Sequence, residues 1–98
     1  MYMLMTYDVN AKRTEKFKKL LRRYLNHDQN SVFSGDITDA QAIRLRSELS
    51  QLMIPADNLT EVTAANRKNI EVMHLKKGDK GGVRREPVED HRRDFNVL

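Results

Sequence analysis

The residue on which chemistry is most readily built is Asp8. It ends an apolar run, and seven Lys or Arg follow it before Tyr24: Lys12, Arg13, Lys16, Lys18, Lys19, Arg22 and Arg23. A carboxylate offers hard oxygen ligands to a divalent cation, and a row of cations attracts phosphate. One carboxylate is a poor Mg²⁺ site, because the ion keeps octahedral oxygen coordination and takes one or two carboxylates with phosphate and water. A two-fold dimer would solve this by bringing two copies of Asp8 together against phosphate-attracting helices. The plainer reading is a turn over Asp8, Val9 and Asn10, closed by the side-chain-to-backbone hydrogen bonds that Asp and Asn favour.

Other catalytic patterns find no foothold. His27, His74 and His91 lack any metal-ligand spacing. There is no Walker A loop, GxGxxG or GxSxG, which removes nucleotide hydrolysis and serine-ester chemistry. The absence of cysteine excludes disulfides and thiolate metal sites and suits a reducing cytoplasm. Three Phe, three Tyr and no Trp are too few for a base-stacking platform, and no strand carries the aromatic RNP1 pattern. Contact with nucleic acid should therefore be to backbone phosphates.

The charge is uneven along the 98 residues. Residues 1–23 hold seven basic and two acidic residues, residues 24–75 four and seven, and residues 76–98 seven and five. Basic ends on an acidic middle fit a polyanion partner, and for nucleic acid the dominant attraction is phosphate neutralisation with counterion release. Solubility alone would also account for net positive charge. A chain of this length builds one core, so a site must sit on that core or across a subunit interface. The opening apolar stretch is short and runs straight into charge. It reads as a strand, and no membrane association is expected.

Elements must position Asp8 and its cations. Residues 2–7 suit an inner strand covered on both faces. From Lys12 the period changes: Phe17, Leu20, Leu21, Tyr24 and Leu25 make one apolar stripe of a helix that Asn10 could cap. Residues 28–37 read either as one bent strand or as two short strands turning at Ser34 and Gly35. Thr38 and Gln41 have capping-box spacing, and Ala42, Leu45, Leu49, Leu52 and Met53 give the second helix its buried face. Ile54 before Pro55 stops that helix. Residues 59–64 and 70–75 read as strands that could form a hairpin across residues 66–69. The Gly-containing segment after Lys76 reads as a connection, and the tail regains apolar residues at Phe95, Val97 and Leu98. The expected fold is an α+β sandwich, an antiparallel sheet with two helices on one face.

The residues that close the first strand, Tyr7 and Asp8, together with Gln29, Ser31, Val32, Phe33 and Gly35 in a Q-x-S-V-F-x-G segment, carry a resemblance. The chain resembles the CRISPR-associated protein 2 family, most fully over residues 1–54. The resemblance implies a ferredoxin-like domain over residues 1–78 and a homodimer. It also implies a C-terminal segment, residues 79–98, for dimer or partner contacts, with a tail or strand exchanged between subunits. It implies assembly with CRISPR-associated protein 1 and binding of duplex DNA during spacer acquisition, with Lys12, Arg13, Lys16, Arg84 and Arg85 as the DNA contacts. It further implies a Mg²⁺-dependent endonuclease on RNA or DNA, one ion per dimer held by the two copies of Asp8, with Tyr7 and Phe33 as the other catalytic positions. The chain departs from the family at His27 and Asp28, where members credited with nuclease activity often carry arginine. Virulence-associated protein D ribonucleases share the scaffold and are the alternative, although the Q-x-S-V-F segment favours the first family.

Overall fold

A computed structural model describes residues 1–71, 73–77 and 83–87, with the side chains at 74, 76, 77 and 83–86 outside the described set. The chain runs β1 (Tyr2–Asp8), a 3-10 turn (Ala11–Arg13), α1 (Thr14–Arg22), β2 (Asn26–Gln29), β3 (Val32–Asp36) and α2 (Asp39–Leu52). It continues with β4 (Asn58–Ala64), a second 3-10 turn (Arg67–Asn69), β5 (Met73–Lys77) and β6 (Val83–Pro87). Four strands form one antiparallel sheet in the order β2-β3-β1-β4, and β5 and β6 pair separately. This is the expected α+β sandwich.

Strand alternation decides which residues face the helices. Met3, Met5 and Tyr7 of β1 join Phe33 of β3 in a core completed by Phe17, Leu20 and Leu21 of α1 and Ala42, Leu45 and Leu49 of α2. Of the predicted stripes, Phe17, Leu20 and Leu21 are buried on α1 and Ala42, Leu45 and Leu49 on α2, while Leu52 is half-buried and Tyr24, Leu25 and Met53 lie past the ends of their helices. α2 begins with the full reciprocal cap: the Thr38 hydroxyl accepts from the Gln41 amide at 3.1 Å, and the Gln41 side chain accepts from the Thr38 amide at 3.0 Å. Its last residue is Leu52, just before the Ile54-Pro55 stop.

Two expectations need correction. Residues 28–37 contain two strands, but the chain turns at Asn30, which has φ 38°, and Gly35 lies inside β3 opposite Met3. Asparagine tolerates left-handed backbone, and the His27 imidazole donates to the Asn30 carbonyl at 2.6 Å, closing the turn. Strands 59–64 and 70–75 also do not form a hairpin together. β4 pairs with β1, while β5 pairs with β6. Between them a 3-10 turn capped by the Asn66 side chain, which accepts from the Lys68 amide at 2.9 Å, occupies the segment that the hairpin needed as a simple turn.

Gly35 is required where it stands. Its φ of 158° disfavours any side chain, and an added Cβ would lie 3.2 Å from the side-chain Nδ2 of Asn26 on β2. Gly35→Ala should cost about 1–2 kcal/mol of stability in urea melts, because strain and crowding coincide in an inner strand. An unchanged midpoint would show that this edge of the sheet relaxes freely.

Candidate functional site

β1 delivers Asp8 to the surface: it is the last residue of the strand, exposed, and paired in register with Asn58 at the start of β4. The preceding residue, Tyr7, points the other way and is 9% exposed. Its ring lies 5.7 Å from Phe17 and 6.0 Å from Phe33. Burial raises the Tyr7 phenol above its usual range, nearby Glu15 adds to this, and Arg22 opposes it. The phenol is therefore protonated at neutral pH. Phe33 is 0% exposed, stacked under His27 with ring centroids 4.4 Å apart and planes at 8°. Within one chain Tyr7 and Phe33 form the floor behind Asp8, and Phe33 has no surface to offer a substrate.

The cations after Asp8 divide into two sets. Arg13 turns inward: its Nε donates to Asp57 Oδ1 and Oδ2 at 3.1 and 3.2 Å, and its Nη2 donates to Asp57 Oδ2 and to the Leu52 carbonyl, both at 2.9 Å. Asp57 also accepts from the Ile54 amide at 2.9 Å, and its side chain is 1% exposed. The guanidinium predicted as a DNA contact is thus engaged within the chain. Lys18 pairs with Glu15 at 3.3 Å, and Arg23 pairs with Glu48 at 3.1 Å. Lys12, Lys16 and Lys19 are exposed, and no ion pair engages them among the described residues. Lys16, Lys19 and Arg23 line a groove of about 440 Å³ between α1 and α2, closed opposite by Glu48, Gln51 and Leu52. Arg84 and Arg85 stand on β6 opposite Lys76 and Leu75, and their side chains lie outside the described residues.

Asp57, the buried partner that redirects Arg13, escaped the sequence reading. Arg22 was read only as one of the surface cations, and its contact with His27, whose Nδ1 accepts from the guanidinium at 3.3 Å, was not foreseen. The only sequence trace of the first pair was an Asp three residues after Ile54, a spacing that suits a side-chain-closed turn. Among the described residues no group of three His, Asp or Glu gathers as a metal cage. Asp8 supplies the hard oxygen donors that Mg²⁺ prefers, at an exposed strand end, but one chain contributes one carboxylate there. One chain by itself leaves most of an octahedral oxygen shell to other donors.

Three carboxyls are held below their usual range. Asp57 is lowered first by the Arg13 hydrogen bonds, Glu48 first by the Tyr24 hydroxyl, and Glu61 first by Arg46, with burial opposing each. A carboxylate with a depressed folded pKa contributes stability above its unfolded pKa and loses it as pH falls through the folded one. Melting temperature should therefore hold from neutral pH down to about 5 and fall steeply below about 4. Asp57→Asn should flatten that acid limb. An equally steep limb in the variant would assign acid sensitivity to other groups.

Comparison with known proteins adds an independent line. The family model described as CRISPR associated protein Cas2 matches residues 1–72. A CRISPR-associated endoribonuclease Cas2 of Thermotoga maritima is 33% identical over 86 residues, 85% of this chain and 99% of that protein. One of Thermococcus kodakarensis is 34% identical over 90 residues, 92% of this chain and 98% of that protein. Among solved structures, Streptococcus pyogenes Cas2 at pH 6.5 superposes with a TM-score of 0.64 at 28% identity, covering 76% of this chain and all, 100%, of the other. Another crystal structure of Cas2 gives a TM-score of 0.60 at 30% identity, covering 74% and 95%.

Proposed function

The chain belongs to the CRISPR-associated protein Cas2 family, and from that premise we propose that it works as a homodimer that binds nucleic acid in CRISPR adaptation and cleaves RNA with a divalent metal. The observation that carries this reading is the pairing of one exposed carboxylate, Asp8, with exposed lysines on the helix that follows it. The curated relatives carry endoribonuclease in their names, which favours RNA as the cleaved substrate. The family match also chooses between the two resemblances raised by the sequence and sets the toxin-type ribonuclease aside.

Each residue has a task in this reading. Two copies of Asp8 across a two-fold axis would hold one Mg²⁺, which supplies Lewis-acid stabilisation of phosphoryl oxygen and a more acidic water. Lys12, Lys16 and Lys19 hold backbone phosphates by charge alone, without reading bases. Tyr7, protonated and packed, is no general base, and its ring with Phe33 keeps the strand end rigid. Duplex DNA is held by the same lysines in a scaffold shared with CRISPR-associated protein 1.

The test is a parallel titration of labelled RNA and duplex DNA with purified protein, in Mg²⁺ and in chelator. RNA should be cleaved only with Mg²⁺, and duplex should be bound in both conditions by a particle of twice the chain mass. Capture of purified CRISPR-associated protein 1 by the tagged dimer tests the shared scaffold. Metal-independent cleavage would contradict the metal role, and a monomer that cleaves would contradict the shared site.

A further inference from the structure

The Arg13–Asp57 pair lies next to Asp8 in the fold. Asp8 is tied to Asn58 by the β1–β4 ladder. Five residues later, Arg13 is tied to Asp57, the residue immediately before Asn58. The loop that leaves Asp8 is thus held at both ends on two consecutive residues, at one end by backbone and at the other by a guanidinium. Asp57 is itself fixed, because its Oδ2 accepts from the Ile54 amide and its own amide donates to the Ile54 carbonyl, each at 2.9 Å. The Leu52 carbonyl takes a further Arg13 hydrogen bond at 2.9 Å, which also supplies a donor to the C-terminal end of α2. Inside the loop, the Asn10 side chain accepts from the Lys12 amide at 3.0 Å and the Asn10 carbonyl from the Arg13 amide at 2.8 Å.

We infer that Asp57 is a positioning residue for Asp8: it anchors Arg13, and through it the loop 9–13, so that the carboxylate and the first phosphate-binding lysine, Lys12, are presented at a fixed separation. The inference rests on the metal reading for its consequence in cleavage, but not for its geometry. The carboxylate-guanidinium fork fixes the geometry of the pair, and with the Asp57 side chain 1% exposed and that of Arg13 19%, removing Arg13 leaves a buried carboxylate without its cation. Lysine at position 13 keeps the charge but has no fork to bridge both carboxylate oxygens and the Leu52 carbonyl together. Exchanging the two residues should not rescue the loop either, because an arginine at position 57 cannot accept from the Ile54 amide.

The experiment compares Asp57→Asn and Arg13→Lys with Glu61→Gln, which breaks the exposed Arg46–Glu61 pair elsewhere on β4. Amide hydrogen exchange by NMR reads the loop, and steady-state RNA cleavage reads Asp8. The Lys12 and Arg13 amides should exchange at least ~10-fold faster in Asp57→Asn and Arg13→Lys, with α2 amides unchanged, and at the wild-type rate in Glu61→Gln. In the same two variants kcat should fall ~10-fold or more while KM changes less, because Lys16 and Lys19, outside the loop, still hold phosphate and the presentation of Asp8 is lost. Unchanged loop exchange in both variants would overturn the inference. Faster loop exchange with unchanged kcat would overturn it too, provided that Asp8→Asn abolishes cleavage. If Asp8→Asn has no effect on cleavage, the metal reading fails separately, and the exchange data alone decide whether Asp57 holds the loop. If Asp57→Asn does not fold, Arg13→Lys, which leaves the Asp57 bond to the Ile54 amide in place, decides alone.

Discussion

Asp8→Asn should lower Mg²⁺-dependent RNA cleavage by at least ~10²-fold while the melting temperature moves by no more than about 2 °C. The size follows from what asparagine removes. A carboxylate shared with a second copy contributes charge as well as an oxygen ligand, and even groups one shell further out typically alter metal affinity by about 10–100-fold. The absence of a stability cost follows from exposure: Asp8 is at the surface, and among the described residues no ion pair holds it. Surface substitutions of that kind usually fall within about 0.5 kcal/mol. Parallel cleavage assays and thermal melts decide the matter. Retained cleavage would place the chemistry elsewhere, and a large drop in melting temperature would make Asp8 a structural turn residue, the plainer reading of its sequence.

The second large effect concerns binding. Lys12→Ala combined with Lys16→Ala should reduce duplex affinity by roughly 50-fold at 0.1 M salt and lower the slope of log affinity against log salt by about 2, since each lost phosphate contact removes close to one released counterion. In the proposed dimer each subunit would contribute its own pair, and a duplex spanning both should show more. Neither lysine makes an ion pair among the described residues, and folding should be unaffected. Arg13→Ala behaves differently. It leaves the buried Asp57 carboxylate without its guanidinium and should lower the melting temperature by roughly 10 °C. Any binding loss in that variant then comes with a damaged fold. Fluorescence anisotropy across a salt series, paired with thermal melts, separates the two classes of cation. Equal slopes for wild type and the double lysine variant would remove the 3-10 turn and the start of α1 as the phosphate face.

The local parts of this fold were legible because their signals are short-range. The period of Phe17, Leu20 and Leu21, the Thr38–Gln41 cap and the Ile54-Pro55 stop each act within one or two turns of helix, and each stands where the sequence places it. Asp8 as the exposed end of β1 was equally legible, since a buried run simply ends in a charge. What the sequence hid was long-range. The period of a strand does not name its partner, so residues 70–75 looked ready to pair with β4 although β5 takes β6. Nor does a formal charge reveal its neighbours. Arg13 looked like Lys12 until Asp57, 44 residues away, was brought beside it. The turn at Asn30 was hidden by a more persuasive glycine at position 35, whose freedom is used inside a strand.

In the proposed dimer two copies of Asp8 act on one site. The most direct measurement uses two differently tagged chains, wild type and Asp8→Asn, co-expressed and purified through both tags so that every dimer carries one of each. If the carboxylates share one metal, the mixed dimer should cleave RNA at no more than a few per cent of the wild-type rate, roughly the level of the doubly substituted protein. A mixed dimer with half the wild-type rate would mean that each subunit carries a complete site, and the shared-metal account would be wrong.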